Sequence, residues 1–171
     1  MSAVESSPFL TPPFRQCAVI VRDLDAAVRQ WHDQLGVGPW TGYLLGPPRL
    51  QEMRYHGDEV EFSFRHAFAW QGDLQFELIE PLTGPSIFTD HLERHGEGLH
   101  HVGKYVPDHA AAVAEALAAG FTPLQSARGF GAEGDGAFAY FQPPEATAIV
   151  ELIEAPRVRI EPEFVYPRAG D

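Results

Sequence analysis

Basic residues are scarce in this chain: 12 Lys and Arg stand against 24 Asp and Glu, a formal charge of −12 over 171 residues. Such a surface repels nucleic-acid backbones and anionic lipid headgroups alike, so neither nucleic acid nor a membrane is an expected partner. No apolar run approaches the roughly 20 residues needed to span a bilayer. The opening MSAVESSPFLTPPF lacks the basic and then apolar order of a secretory signal. There is one cysteine, Cys17, so no internal disulfide can form, and a small buried thiol is its expected role. These absences together predict a cytoplasmic protein.

Apolar residues are not scarce. At 44% hydrophobic and 12% aromatic, the chain can fill one core of its own. The β-branched run QCAVIV (16 to 21) predicts a strand. It is followed by RDLDAAVRQWHDQLG, in which Leu24, Ala27, Val28, Trp31 and Leu35 recur at helical spacing, with Asp23 to cap the helix and Gly36 to end it. A Gly/Pro-rich stretch leads to VEFSFRHAFAW (60 to 70) and LQFELIE (74 to 80), two alternating strands joined by a turn at Gln71-Gly72-Asp73. SIFTDHLERHGEG then reads as a helix and linker.

The order repeats in the second half. HVGKYV (101 to 106) predicts a strand, Asp108 opens the alanine-rich helix HAAAVAEALAA, and FTPLQSA, GAFAYFQ and AIVELIE follow as strands. Aligning Gln16 with His101 also places Val21 on Val106, Asp23 on Asp108 and Val28 on Val113, and the tetrapeptide ELIE occurs in both halves. Two copies of one supersecondary unit have been joined. The expected organisation is a first module over 14–82, a helical linker over 83–97, a second module over 98–156 and a C-terminal extension over 157–171.

The repeated ELIE carries the chemistry. Strand alternation puts Gln75, Glu77 and Ile79 on one face, and Ile149, Glu151 and Ile153 on the equivalent face of the second copy. A carboxylate on a buried face costs several kcal/mol unless a cation or a set of donors compensates it. Pseudo-symmetry brings equivalent positions together near its axis, where two buried glutamates repel unless something positive lies between them. At the start of each half stand Gln16 and His101, both able to ligate a metal. Gln16, Glu77, His101 and Glu151 therefore form a candidate four-ligand set. The plainer reading, that both glutamates face water along a shallow edge, remains open from the residues alone.

The segments AVIVRDLDAAVRQWHDQLGVGPW, GLHHVGKYV and VELIE, in this order, resemble the vicinal oxygen chelate superfamily of glyoxalases, bleomycin-resistance proteins and dioxygenases, over residues 14 to 156. ELIEPLTGPSIFTDHLERHGEGLHHVG is most similar to the methylmalonyl-CoA epimerase branch. That branch normally has histidine at the position of Gln16 and often glutamine at that of Glu77, whereas the set found here resembles the zinc site of animal-type glyoxalase I. The resemblance implies an α+β fold of two tandem βαβββ modules, forming a curved mixed sheet around a metal-containing cleft. It also implies one divalent ion (Zn, Ni, Co, Mn or Mg) on Gln16, Glu77, His101 and Glu151.

The activity so implied is that of a metal-dependent isomerase, epimerase or lyase. A carbonyl of a small carbonyl compound or acyl thioester is polarised by the ion, Glu151 removes the α proton and Glu77 returns one on the other face. Only one histidine remains in the set, which argues against an iron dioxygenase. The alternative is a metal-free ligand-binding or sequestering protein of the bleomycin-resistance kind. A homodimer is compatible with either.

Other residues have a functional and a plainer reading. Phe64, His66, Trp70 and Tyr140 are candidates to line an apolar substrate pocket, against membership of the core. Arg54, Arg65 and Lys104 can hold a substrate anion or pair with neighbouring acids. His100 is expected on the opposite face of the strand from His101, structural or exposed, and His91 and His95 on a solvated helix face rather than at a second zinc.

Overall fold

The computed structural model describes residues 7–145 and 148–168. Residues 1–6, part of the opening read for a signal segment, and the last three of the C-terminal extension lie outside the described residues. The first half contains β1 (Phe14–Ile20), α1 (Leu24–Leu35), β2 (Trp40–Leu45), β3 (Gln51–Tyr55), β4 (Asp58–Glu59), β5 (Ser63–Gln71) and β6 (Leu74–Thr83). After α2 (Ile87–His95) come β7 (Gly98–Tyr105), α3 (His109–Ala118), β8 (Thr122–Arg128), β9 (Ala137–Gln142) and β10 (Ile149–Glu154), with β11 (Phe164–Tyr166) in the tail.

Two pairs of parallel strands make the centre. β1 pairs with β6, β7 pairs with β10, and β1 meets β7 antiparallel. Neighbours run outward in the order β11-β2-β5-β6-β1-β7-β10-β9-β8-β3-β4, a mixed, curved, open sheet with helices on it, as expected for an α+β fold of this kind. The registers are those of a pseudo-two-fold. Gln16 stands opposite Gln75 and Ala18 opposite Glu77, while His101 stands opposite Ile149 and Gly103 opposite Glu151.

Helix boundaries follow from local chemistry. Asp23, Ser86 and Asp108 each accept a backbone N–H of the first turn, and Gly36 ends α1 in the left-handed conformation with φ of 67°. The outer face of the first half packs Val28 of α1 on Trp40, Ala67 and Leu78, and that of the second packs Ala112 and Ala116 of α3 on Phe141 and Leu152. Inside the curve, Ile20, Phe62, Phe64, Ile79, Phe138 and Tyr140 join Ile87 and Phe88 of α2 in a third cluster.

Two segments depart from the sequence reading. The Gly/Pro-rich stretch after α1 contains β2, whose Trp40 is fully buried, and then the β3–β4 hairpin, which leaves its own half and pairs with β8. Beyond β10 the tail crosses to the opposite end of the sheet, where β11 pairs with β2. Each half thus has its edge strand covered by a segment from elsewhere, which protects open backbone groups. No helix among the described residues is long and apolar enough to cross a membrane.

Candidate metal centre

Glu77, His101 and Glu151 converge on the concave face at the junction of β6, β7 and β10. His101 Nε2 lies 3.1 Å from Glu151 Oε2 and 3.6 Å from Glu77 Oε2. All three side chains are buried, and their ligating atoms lie within 4.8 Å of one another. Among the described residues, this is the one group of three or more His, Cys, Asp or Glu side chains so disposed.

Gln16 completes the set from β1. Its Nε2 donates to Gln75 Oε1 at 3.0 Å, and the Tyr105 hydroxyl donates to the same oxygen at 2.8 Å. The amide is thereby oriented with Oε1 left over, and this buried oxygen has no hydrogen-bond partner among the described residues. Glu77 Oε2 is a second such acceptor. An orphaned amide oxygen beside two carboxylates, one of them with an oxygen lacking a hydrogen bond, and an imidazole is what a divalent cation requires, since buried acceptors without a hydrogen bond are costly and a cation satisfies them together. The residues fit such an ion, with Gln16, Glu77, His101 and Glu151 as the groups that would hold it.

The local fields are strong. Burial alone would raise the Glu77 pKa, but the His101 and His66 rings outweigh it and hold the carboxyl at about 2. Burial and the Glu77 charge push Glu151 up, against the opposing influence of His101 and Tyr140. Burial alone would lower His101, yet Glu151 and Glu77 raise it to about 9. The pseudo-symmetric carboxylates therefore differ: one is held as the anion and the other takes a proton more readily.

His66, on β5, is part of this network through a 2.6 Å contact of its Nδ1 with Glu77 Oε1. Phe64, His66 and Tyr140 line the cleft with Phe68, Phe130 and Phe138, leaving a cavity of about 40 Å³. Trp70 shares their strand face but lies beyond the cleft, 43% exposed and stacked on Tyr105 at 6.3 Å. Arg65 pairs with Asp25, Glu80 and Glu163, and Arg54 with Glu59. Lys104 is directed to the outer side, where its Nζ donates to Phe9 O and lies over the Phe9 and Phe14 rings. Cys17 is half-buried, and burial raises its thiol pKa.

His100 corrects an expectation. Along β1 and β7, Ala18 pairs with His101 but Val19 with Leu99, so His100 is the extra residue of a β-bulge. A bulge breaks simple alternation, and both histidine rings come together with their Nδ1 atoms 2.9 Å apart. His91 packs edge-on against His100, 5.1 Å between centroids, and lies 5.2 Å from His95.

Sequence reasoning did not single out Gln75 and Tyr105, which orient Gln16, or Arg159, at the cleft mouth. For Gln75 the signal was available, because it shares a strand face with Glu77.

The chain belongs to the glyoxalase/bleomycin resistance protein/dioxygenase superfamily, whose sequence model matches residues 15–141. A search of curated proteins by sequence finds no significant match. Among solved structures it is similar to methylmalonyl-CoA epimerase from Mycobacterium tuberculosis, with 22% identity, 88% of this chain and 92% of that chain covered, and a TM-score of 0.60. It is also similar to a variant of the Streptomyces coelicolor methylmalonyl-CoA epimerase in complex with 2-nitronate-propionyl-CoA, with 19% identity, coverage of 84% and 97%, and a TM-score of 0.63. At these identities the likeness is one of fold.

Proposed function

We propose that this protein is a metal-dependent isomerase, epimerase or lyase that removes a proton α to a carbonyl group of a small carbonyl compound or acyl thioester. The observation that carries this reading is the placement of Glu77 and Glu151 at equivalent positions on either side of His101, with Gln16 Oε1 and Glu77 Oε2 buried and unpartnered. A divalent ion bound there supplies Lewis acidity to a carbonyl oxygen, which makes the neighbouring C–H more acidic.

The protein's own groups do the proton transfer. Glu151 is the base that takes the α proton: it is buried on the concave face of the cleft, 3.1 Å from His101 Nε2. Glu77, on the other half of the pseudo-dyad and itself held as the anion, passes to the opposite face a proton drawn from His66 at its far oxygen. Phe64, Phe68, Phe138 and Tyr140 exclude water from the reacting carbon. Return on the opposite face gives epimerisation or isomerisation, while loss of a β substituent after proton removal gives a lyase.

A metal-free sequestering protein would have to keep two glutamates and the unpartnered Gln16 Oε1 buried without using them, which is disfavoured. Elemental analysis of protein purified without chelators tests the reading: about one divalent ion per chain is expected, and none in Glu77→Ala. Glu151→Gln should keep its fold and lose exchange of α protons with deuterated solvent. Full exchange in that variant would sink its assignment as base.

A further inference from the structure

A second charged feature of the cleft is not used by this chemistry. After β10 the chain turns at Ala155 and Pro156 and crosses the cleft mouth on its way to β11. The crossing strap is pinned at both ends. Ala132 N–H donates to Val158 O at 2.8 Å beside an isolated bridge between Gly131 and Arg159, and Glu163 N–H donates to Gly42 O at 2.8 Å.

Among the described residues, Arg159 is the one Arg or Lys lining the cleft. Its Cζ lies 4.6 Å from the centre of the Phe68 ring. No described carboxylate pairs with its guanidinium. Its neighbour Arg157, by contrast, pairs with Glu133 and Asp135. An aromatic face holds a guanidinium by cation–π attraction while leaving its N–H donors free. In a chain with twice as many acids as bases, a cation placed at the cleft mouth without an acidic partner is poised for an anion from outside the protein.

We propose that Arg159 recognises an oxyanion, a carboxylate or phosphate, on the substrate. The cleft then takes an anionic carbonyl compound, with its carbonyl end toward Glu77, His101 and Glu151 and its oxyanion at the strap. This inference rests on the reading of the cleft as the substrate site.

Isothermal titration of the full chain tests this, after chelator treatment and again with one equivalent of Zn²⁺. The probes are malonate, inorganic phosphate and the uncharged malonamide. Wild type is expected to bind at least one anion and not malonamide, and the stronger of the two identifies the oxyanion. Arg159→Ala should weaken that binding at least tenfold in both metal states, and Arg159→Lys by less, with melting temperatures unchanged because the side chain is exposed. Equal affinity in Arg159→Ala, or no anion binding by wild type in either state, overturns the proposal. Glu77→Ala separates the two readings: anion binding that still depends on Arg159 in a chain that never binds metal would leave this inference standing and remove the metal chemistry.

Discussion

His101 Nδ1 lies 2.9 Å from His100 Nδ1, so one ring must donate and the other accept. Burial, the neighbouring His101 charge and His91 lower His100 to about 2, whereas His101 is raised to about 9. His101 is therefore the donor and His100 the neutral acceptor. That hydrogen bond fixes the His101 ring with Nε2 toward both glutamates, the arrangement in which a partner behind a histidine sets its tautomer and aim.

The two histidines make opposite contributions to stability in metal-free protein. His101 keeps a proton that the unfolded chain releases near pH 6.5, so its contribution is complete below 6.5 and lost as pH rises toward 9. His100 stays neutral while the unfolded chain takes up a proton, so stability is lost as pH falls below 6.5. To urea unfolding of chelated protein these two histidines each contribute a limiting slope of about 1.4 kcal/mol per pH unit, of opposite sign on the two sides of about pH 6.5. His100→Asn should reduce the acid-side slope. An unchanged acid slope would refute this account.

Gln75 has no expected contact with the ion, yet it accepts from the Gln16 amide and so determines which way Gln16 Oε1 points. Gln75→Leu should weaken divalent-ion affinity roughly 10- to 100-fold, as loss of an orienting partner does. Competition with a chromogenic chelator measures it.

Gly103 leaves the space that the Gln16 side chain occupies, since a Cβ there would collide with Gln16 Oε1. Gly103→Ala should displace Gln16, lower ion affinity and cost about 1–3 kcal/mol by overpacking. Paired denaturation and ion titrations of this variant check both effects.

Phe88 of α2 is fully buried, edge-on to Phe64 and Tyr140 at 5.1 and 5.5 Å. Phe88→Ala should lose about 3–5 kcal/mol of stability. Because Tyr140 also lines the cleft, ligand affinity should fall in the folded fraction, which fluorescence titration below the melting temperature would detect.

Much of this was legible in the sequence because its causes are local. The period of apolar residues, the capping Asp23 and Asp108, and the ELIE repeat place α1, α3, β6 and β10. Alternation then puts Glu77 and Glu151 on equivalent faces. Pseudo-symmetry was enough to expect that they meet, since equivalent faces near a two-fold axis have nowhere else to go.

Tertiary structure decided the rest. No local pattern says that Val19 pairs with Leu99, and this register shift turns His100 inward. The β3–β4 hairpin and β11 pair with strands distant in sequence, so their partners depend on which sheet edges the completed fold leaves open. The same holds for His66 at Glu77 and Arg159 over Phe68, contacts spanning 11 and about 90 residues of chain. The sequence by itself determined the two units and the donor types each presents, because side-chain spacing and polarity are properties of a segment. Which donors share one cavity, and which cation guards its mouth, were decided only when the segments packed.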